Sequence, residues 1–153
     1  MAIRKIVTVG DDVLNKKCRT VEQITPRILS ILDDLADTLY DSGGVGLAAP
    51  QVGILRRIAV IDIDEGLIEL INPEIIESSG EQTDSEGCLS YPDHFGKVTR
   101  PRHVRVRAMN RDGEIFEMEG DDLLARAMCH EIDHLDGKMF MDLVTEWIDV
   151  DEE

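Results

Sequence analysis

His130-Glu131-Ile132-Asp133-His134 places two imidazoles four residues apart with a carboxylate beside the first. On a helix, residues four apart lie one turn above another, so both rings leave one face and can share a metal ion, with Glu131 next to them. The chemistry that suits such a set is metal-assisted hydrolysis, in which the ion activates a water and the carboxylate moves its proton. Two histidines on a helix by accident is the competing explanation. From the usual frequencies of His and Glu, a chance match in such a chain is on the order of one in a hundred, so a site is the better reading. The helix is expected from its own residues: Leu124, Met128, Glu131 and Leu135 follow helical spacing, Asp121 or Asp122 can cap the start, and Gly137 can end it.

The elements that must hold this helix can be read along the chain. Ile3 to Val9 reads as extended, up to the Gly10-Asp11-Asp12 turn, and Cys18 follows in a polar stretch as a packing residue. Thr25-Pro26 supplies an N-cap and a proline at the first helical position, and Ile28, Ile31, Leu32, Leu35 and Leu39 recur at helical spacing up to Gly43-Gly44. Gly43 to Gln51 is rich in glycine and alanine beyond what a turn needs, which suits either close approach of the backbone to something or a plain glycine-rich connection after the helix. Arg57 to Asp62, Leu67 to Asn72 and Glu74 to Ser78 read as strands, the last two parted by Pro73, and Gly80 to Ser85 as a polar loop. Further strands are expected at Lys97 to Arg100, His103 to Asn110 and Glu114 to Glu119, the last two joined by the hairpin signal Arg111-Asp112-Gly113. Arg105 and Arg107 alternate with Val104 and Val106, which puts the arginines on one solvated face with acidic neighbours. After Met139-Phe140-Met141, the segment from Asp142 sets Leu143, Val144, Trp147 and Ile148 on one helical side, to dock on the core, and residues 149–153 should fray.

Composition bounds the rest. A chain of 153 residues suits a single catalytic domain, 1–153, with one core, and with 4% aromatic residues that core must be built from Ile, Val and Leu. The formal net charge of −16 argues against sequence-independent binding to nucleic acid or an anionic membrane, both of which need Lys and Arg to neutralise phosphates. Cys18, Cys88 and Cys129 are an odd set without paired spacing, which suits a reducing compartment. No apolar run has signal-peptide or membrane-span length, so the expected location is cytoplasmic.

Two histidines do not complete a catalytic metal site, which usually has three protein ligands and one position open to water. Continuation of the motif to a third histidine is excluded, because position 140 is Phe. A later glutamate is a poor fit: Glu146 is close in sequence, and Glu152 and Glu153 sit on an acidic tail that cannot hold a rigid ligand. His94 and His103 stay open, though each is more simply a surface residue. Cys88 offers a thiolate, and Gly87 beside it permits close packing against the helix.

Three stretches together, Gly44-Val45-Gly46-Leu47-Ala48-Ala49-Pro50-Gln51, Glu86-Gly87-Cys88-Leu89-Ser90 and His130-Glu131-Ile132-Asp133-His134-Leu135-Asp136-Gly137, resemble the signature motifs of bacterial peptide deformylase in order and spacing. The resemblance spans nearly the whole chain. It implies an α+β fold with antiparallel or mixed sheets around a central metal-ligand helix. It implies an Fe(II) ion on Cys88, His130 and His134, for which zinc, nickel or cobalt can substitute in purified protein. It implies hydrolysis of the N-formyl group of formylmethionyl peptides, releasing formate. Glu131 would move the proton, and the backbone N–H of Leu89 and the side-chain amide of Gln51 would stabilise the developing oxyanion.

By the same resemblance, the peptide lies alongside Gly46 as an added strand, Val45 helps to line the methionine pocket, and Arg100 pairs with Glu86 to hold the cysteine segment. Leu123 and Ala127, near the histidine face, are either further pocket candidates or core packing residues. Cys129 points away along the helix and reads as core. Arg126 lies near the histidine face and either shapes substrate preference or snorkels outward. Some members of the family are thought to reach the ribosome through a basic C-terminal helix. Here Asp142, Glu146, Asp149, Asp151, Glu152 and Glu153 occupy that region with no Lys or Arg, so no such docking is expected. Any transient association would fall to the basic strands from Lys97 to Arg111, and a monomer without DNA or membrane partners is expected.

Overall fold

The structure, a computed structural model, describes residues 2–148. Helix α1 (Pro26–Ser42) has the expected bounds for the expected reasons. The Thr25 hydroxyl accepts the N–H of Ile28 at 3.3 Å, Pro26 opens the first turn, and Gly43, at φ 77°, closes the last with its N–H on Leu39 O. The first sheet, antiparallel throughout, has the order β1 (Gly46–Ala48), β2 (Ile58–Ile61), β3 (Ile68–Ser79), β6 (His103–Met109), β7 (Ile115–Asp121). The second is β4 (Gln82–Cys88), β5 (Tyr91–Arg100), β8 (Val144–Ile148). Helix α2 (Asp122–Leu135) runs directly out of β7.

The expectation of one core is corrected by the pleat of β2. Ile58 and Val60 point to one face, where they meet the buried stripe of α1, together with Leu47 and Ile71. Ile61 points to the other face, where Leu70, Val104, Val106 and Ala108 meet Ala125, Met128 and Ile132 of α2. The sheet therefore separates two of three apolar clusters, the third and smallest being Cys18, Ala48, Ala59 and Leu135, and each fully buried Leu or Ile in them is worth about 1.5–3 kcal/mol. Cys18 and Cys129 are buried packing residues, as expected, and burial pushes both thiols up to about 11.

Four local expectations are overturned. Residues 3 to 9 form no strand. They are pinned one group at a time: Ala2 N–H and Arg4 on Asp34, Arg4 N–H on Thr38, Val7 N–H on Gln51 O and Val9 N–H on Ser90 O. Pro73 does not divide a strand, because a bulge with Asn72 at φ 52° absorbs it inside β3. Gly80 to Ser85 is not a loop. From Gln82 onward the residues pair with β5, with Thr83 and Thr99 hydroxyls 2.8 Å apart, so partner pairing outweighs polar composition. The segment after Asp142 is strand β8, not a helix. Its spacing over five residues suits either form, and the free edge of β5 decides, with Gly96 opposite Trp147 and Lys97 paired to Glu146 at 3.1 Å. Residues 149–153, expected to fray, lie outside those described. Among the described residues, no helix is long and apolar enough to cross a membrane.

Candidate active site

Each part of the site is brought in by a different element. Helix α2 presents His130, Glu131 and His134, all buried. Its last turn is anchored by Cys18 N–H and Arg57 Nη1, both donating to Leu135 O at 2.8 and 2.9 Å. The end of β4 brings Cys88 up to the helix, just before the two-residue turn Leu89-Ser90. Cys88 Sγ lies 3.3 Å from His134 Nε2, which lies 3.2 Å from His130 Nε2, and the three donor atoms are all within 4.8 Å of one another. Of the third-ligand candidates, His94 instead bonds Pro92 O and stacks on Tyr91, and His103 pairs with Asp121 and Glu119.

Glu86, two residues before Cys88, organises the set. Its Oε2 accepts His130 Nδ1–H at 2.6 Å and Arg100 Nη2 at 2.6 Å, while Oε1 accepts Arg100 Nε at 3.2 Å and Arg126 Nη1 at 2.8 Å. An ionised carboxylate can only accept, so His130 keeps a proton on Nδ1 and points its Nε2 towards Cys88 and His134. Burial alone would lower this imidazole, but the charges of Glu131 and Cys88 and the hydrogen bonds to Cys88 and Glu86 outweigh it and hold the ring well above its ordinary value. Burial alone would raise Glu86, but the hydrogen bonds from His130 and Arg100 outweigh it and hold the carboxyl well below its ordinary range. Burial and the neighbouring His130 charge hold His134 well below the usual imidazole value, so its lone pair is available. Arg100 also reaches Asp133 at 2.7 Å. Arg126 does not snorkel outward: it is buried on Glu86, and its Nη2 has no partner.

Glu131 stands beside the donor set with Oε1 buried and unpartnered, and burial pushes its carboxyl up to about 7, within reach of proton exchange near neutrality. The structure gives Gly46 a reason that the sequence did not: a Cβ there would collide with the Glu131 carboxylate, reaching 2.9 Å from its Cδ. Gln51 is locked by Ala48 N–H on its Oε1 at 3.0 Å. Its Nε2 donates to Ser90 Oγ at 3.1 Å and lies 3.5 Å from Cys88 Sγ.

These groups face a cleft of about 490 Å³ whose lining includes Val45, Gly46, Gln51, Cys88, Leu89, Ala127, His130 and Glu131, with half-exposed Leu123 at the rim. His134 sits behind the lining. Tyr91, His94 and Phe95 also line the cleft, although nothing in their spacing distinguishes them from surface strand residues. Ser90 is fully buried, and lying within the cysteine stretch was its only mark in the sequence. Two soft or borderline nitrogens and a sulfur converging on one point form a donor set suited to a zinc- or iron-type divalent ion, with Glu131 left free to handle protons.

Residues 3–148 match the family model described as polypeptide deformylase. A peptide deformylase of Caldanaerobacter subterraneus subsp. tengcongensis is 57% identical over 152 residues, 99% of this chain and 96% of its own length. One of Agathobacter rectalis is 57% identical over 144 residues, 94% of this chain and 91% of its own length. The crystal structure of a peptide deformylase from Legionella pneumophila superposes with a TM-score of 0.91 at 44% identity, covering 94% of this chain and 87% of that one. With a match of that extent in sequence and in fold, the chain belongs to the polypeptide deformylase family.

Proposed function

We propose that the protein hydrolyses the N-formyl group of formylmethionine at the start of newly made proteins, releasing formate and a free amino terminus. The observation that supports this best is the meeting of Cys88 Sγ, His130 Nε2 and His134 Nε2 beside the unpartnered Glu131 carboxylate, with Cys88, His130 and Glu131 lining one cleft and His134 just behind them. The family is metal-dependent, and Cys88, His130 and His134 are the residues that would hold the ion. When bound, a divalent ion supplies Lewis acidity, making a water acidic enough to attack at neutral pH. We propose iron for it, in keeping with the family, and metal analysis of protein purified without air checks that choice.

The remaining work belongs to side chains of this chain. Glu131 accepts the proton of the attacking water and returns it to the leaving nitrogen, so that water's oxygen ends in formate and its hydrogen on the amine. As charge develops on the formyl oxygen, the Leu89 N–H and Gln51 Nε2 donate to it. Gln51 keeps its bond to Ser90 and gives up the weaker contact to sulfur. The peptide main chain runs beside Gly46, with Val45, Leu123 and Ala127 bounding the methionine side chain. The enzyme acts as a cytoplasmic monomer. Its three free cysteines agree with a reducing compartment.

Formate release from formyl-Met-Ala-Ser, run beside the unformylated peptide, tests the reading. Formate from the first and no cleavage of the second is expected. Cleavage of internal bonds without formate would identify a peptidase, and silence from metal-replete protein would leave only a structural metal module.

A further inference from the structure

The cations of this chain fall into two populations. Between Lys97 and Arg126 each is engaged by a carboxylate: Lys97 by Glu146, Arg102 by Asp122, Arg105 by Glu77 and Glu119, Arg107 by Glu74 and Glu117, Arg111 by Glu69 and Asp33, and Arg100 and Arg126 by Glu86. These strands, expected from the sequence to be the basic surface, are thereby neutralised. Among the described residues, Lys16, Lys17, Arg19, Arg27 and Arg56 make no ion pair at all. Arg19, Arg27 and Arg56 line one polar groove of about 900 Å³, and Lys16 and Lys17 lead into it, both exposed. We propose that this groove is a docking surface for the phosphate backbone of RNA.

The main chain builds the grouping. Arg19 N–H donates to Leu55 O at 3.1 Å and Arg57 N–H to Arg19 O at 3.0 Å, which sets Arg19 and Arg56 side by side. Arg27 stands in the first turn of α1, the positive end of that helix. Unpaired Lys5 lies elsewhere, next to Arg4, whose N–H is bonded to Thr38 near the far end of α1. Glu22 is the one carboxylate on the groove wall.

Phosphate is the anion that best fits this surface. Guanidinium forks bind phosphate oxygens in pairs and keep their charge at any physiological pH. The formal charge of −16 is a sum over the chain, whereas a docked polyanion meets only the facing groups, the far side being screened beyond about 8 Å at physiological salt. RNA is the phosphate polymer nearest a protein chain still being made, and this choice rests on the function proposed above. The groove shares no lining residue with the catalytic cleft. In the turn between them Gln51 faces the cleft and Gly53 the groove, so docking leaves the cleft open.

The test is binding of a fluorescent mixed-sequence single-stranded RNA to the full chain, followed by anisotropy from low salt up to about 0.15 M. Three phosphate contacts give an expected slope of log K against log salt of about −2. Arg19→Ser/Arg27→Ser/Arg56→Ser should weaken binding at least about tenfold and flatten the slope, while Arg102→Ser/Arg105→Ser/Arg107→Ser, with the same change in net charge, should not. Should the groove triple variant unfold, Lys16→Ser/Lys17→Ser serves in its place. Absence of binding at low salt, or equal loss in both triple variants, overturns the proposal, as does capture of polyglutamate in preference to RNA, which would point to an acidic protein partner. Formate release from formyl-Met-Ala-Ser, unchanged in every variant, is measured separately. Its absence in the parent would sink the function proposed above while leaving the RNA measurement to stand by itself.

Discussion

Cys88 and Glu131 sit against the same pair of histidines but are asked for different things, and substitution should separate them. Cys88→Ala removes a donor atom from the set, so metal content and activity should fall together. Glu131→Ala removes a proton carrier and leaves the three donors in place, so metal content should hold while kcat drops by about a hundred- to ten-thousand-fold. Metal analysis beside turnover on formyl-Met-Ala-Ser decides it. Full metal and rate in Cys88→Ala would place the third ligand elsewhere. Gly46→Ala tests the close approach between β1 and the helix. Its Cβ can be accommodated only by moving the Glu131 carboxylate, so kcat should fall by about a hundredfold with the circular dichroism spectrum intact. An unchanged kcat would mean that the carboxylate has room to step aside.

At the level of elements, the N-terminal segment matters more than its lack of regular structure suggests, because its N–H groups end on the carbonyls of Gln51 and Ser90, the pair that holds the amide in the cleft. Its other end is fixed to α1 by Asp34. Burial alone would raise the Asp34 carboxyl, but the Ala2 N–H and the Arg4 guanidinium prevail and hold it below its ordinary value of 3.8. A carboxyl depressed on folding stabilises the protein above its unfolded value and loses that contribution as pH falls through the folded one. Asp34→Asn should therefore cost about 1 kcal/mol at neutral pH, discounted for the partly exposed Arg4, and progressively less below about pH 4. Urea midpoints at the two pH values measure this. A deficit that persists undiminished in strong acid would show that shape, not charge, holds the segment.

For the whole molecule, the charge of −16 sets a self-repulsion that the surface ion pairs of Arg105 and Arg107 offset only in part, each exposed pair being worth little. Added salt screens both, and because the repulsion is summed over the entire surface it should be the larger loss. Raising sodium chloride from low to moderate concentration should stabilise the fold by about 1 kcal/mol, a rise in Tm of roughly 2–4 °C. Calorimetry gives the sign directly, and a falling Tm would mean that the local pairs outweigh the net charge.

Whatever depends on near neighbours was determined by the sequence alone. The spacing of His130, Glu131 and His134, the Thr25-Pro26 start and Gly43 stop of α1, and the Arg111-Asp112-Gly113 hairpin are all set within a turn or two of chain, where caps, periodicity and positive φ act. The three motif stretches named the residues that meet at the cleft. Their contacts were decided only by tertiary structure, because the partners lie far apart in the chain: Glu86 reaches Arg126 across 40 residues and His130 across 44. Strands β4 and β8 were hidden for the same reason, since polar residues and a five-residue apolar pattern become strands only where the edges of β5 need partners. The cations show the limit most plainly. The sequence concentrates them between Lys97 and Arg111, but folding brings carboxylates from β3, β7 and α1 onto Arg105, Arg107 and Arg111, and leaves Arg19, Arg27 and Arg56 without any among the described residues. A charge is free or spent according to what the fold places within a few ångströms of it, and no one-dimensional count contains that distance.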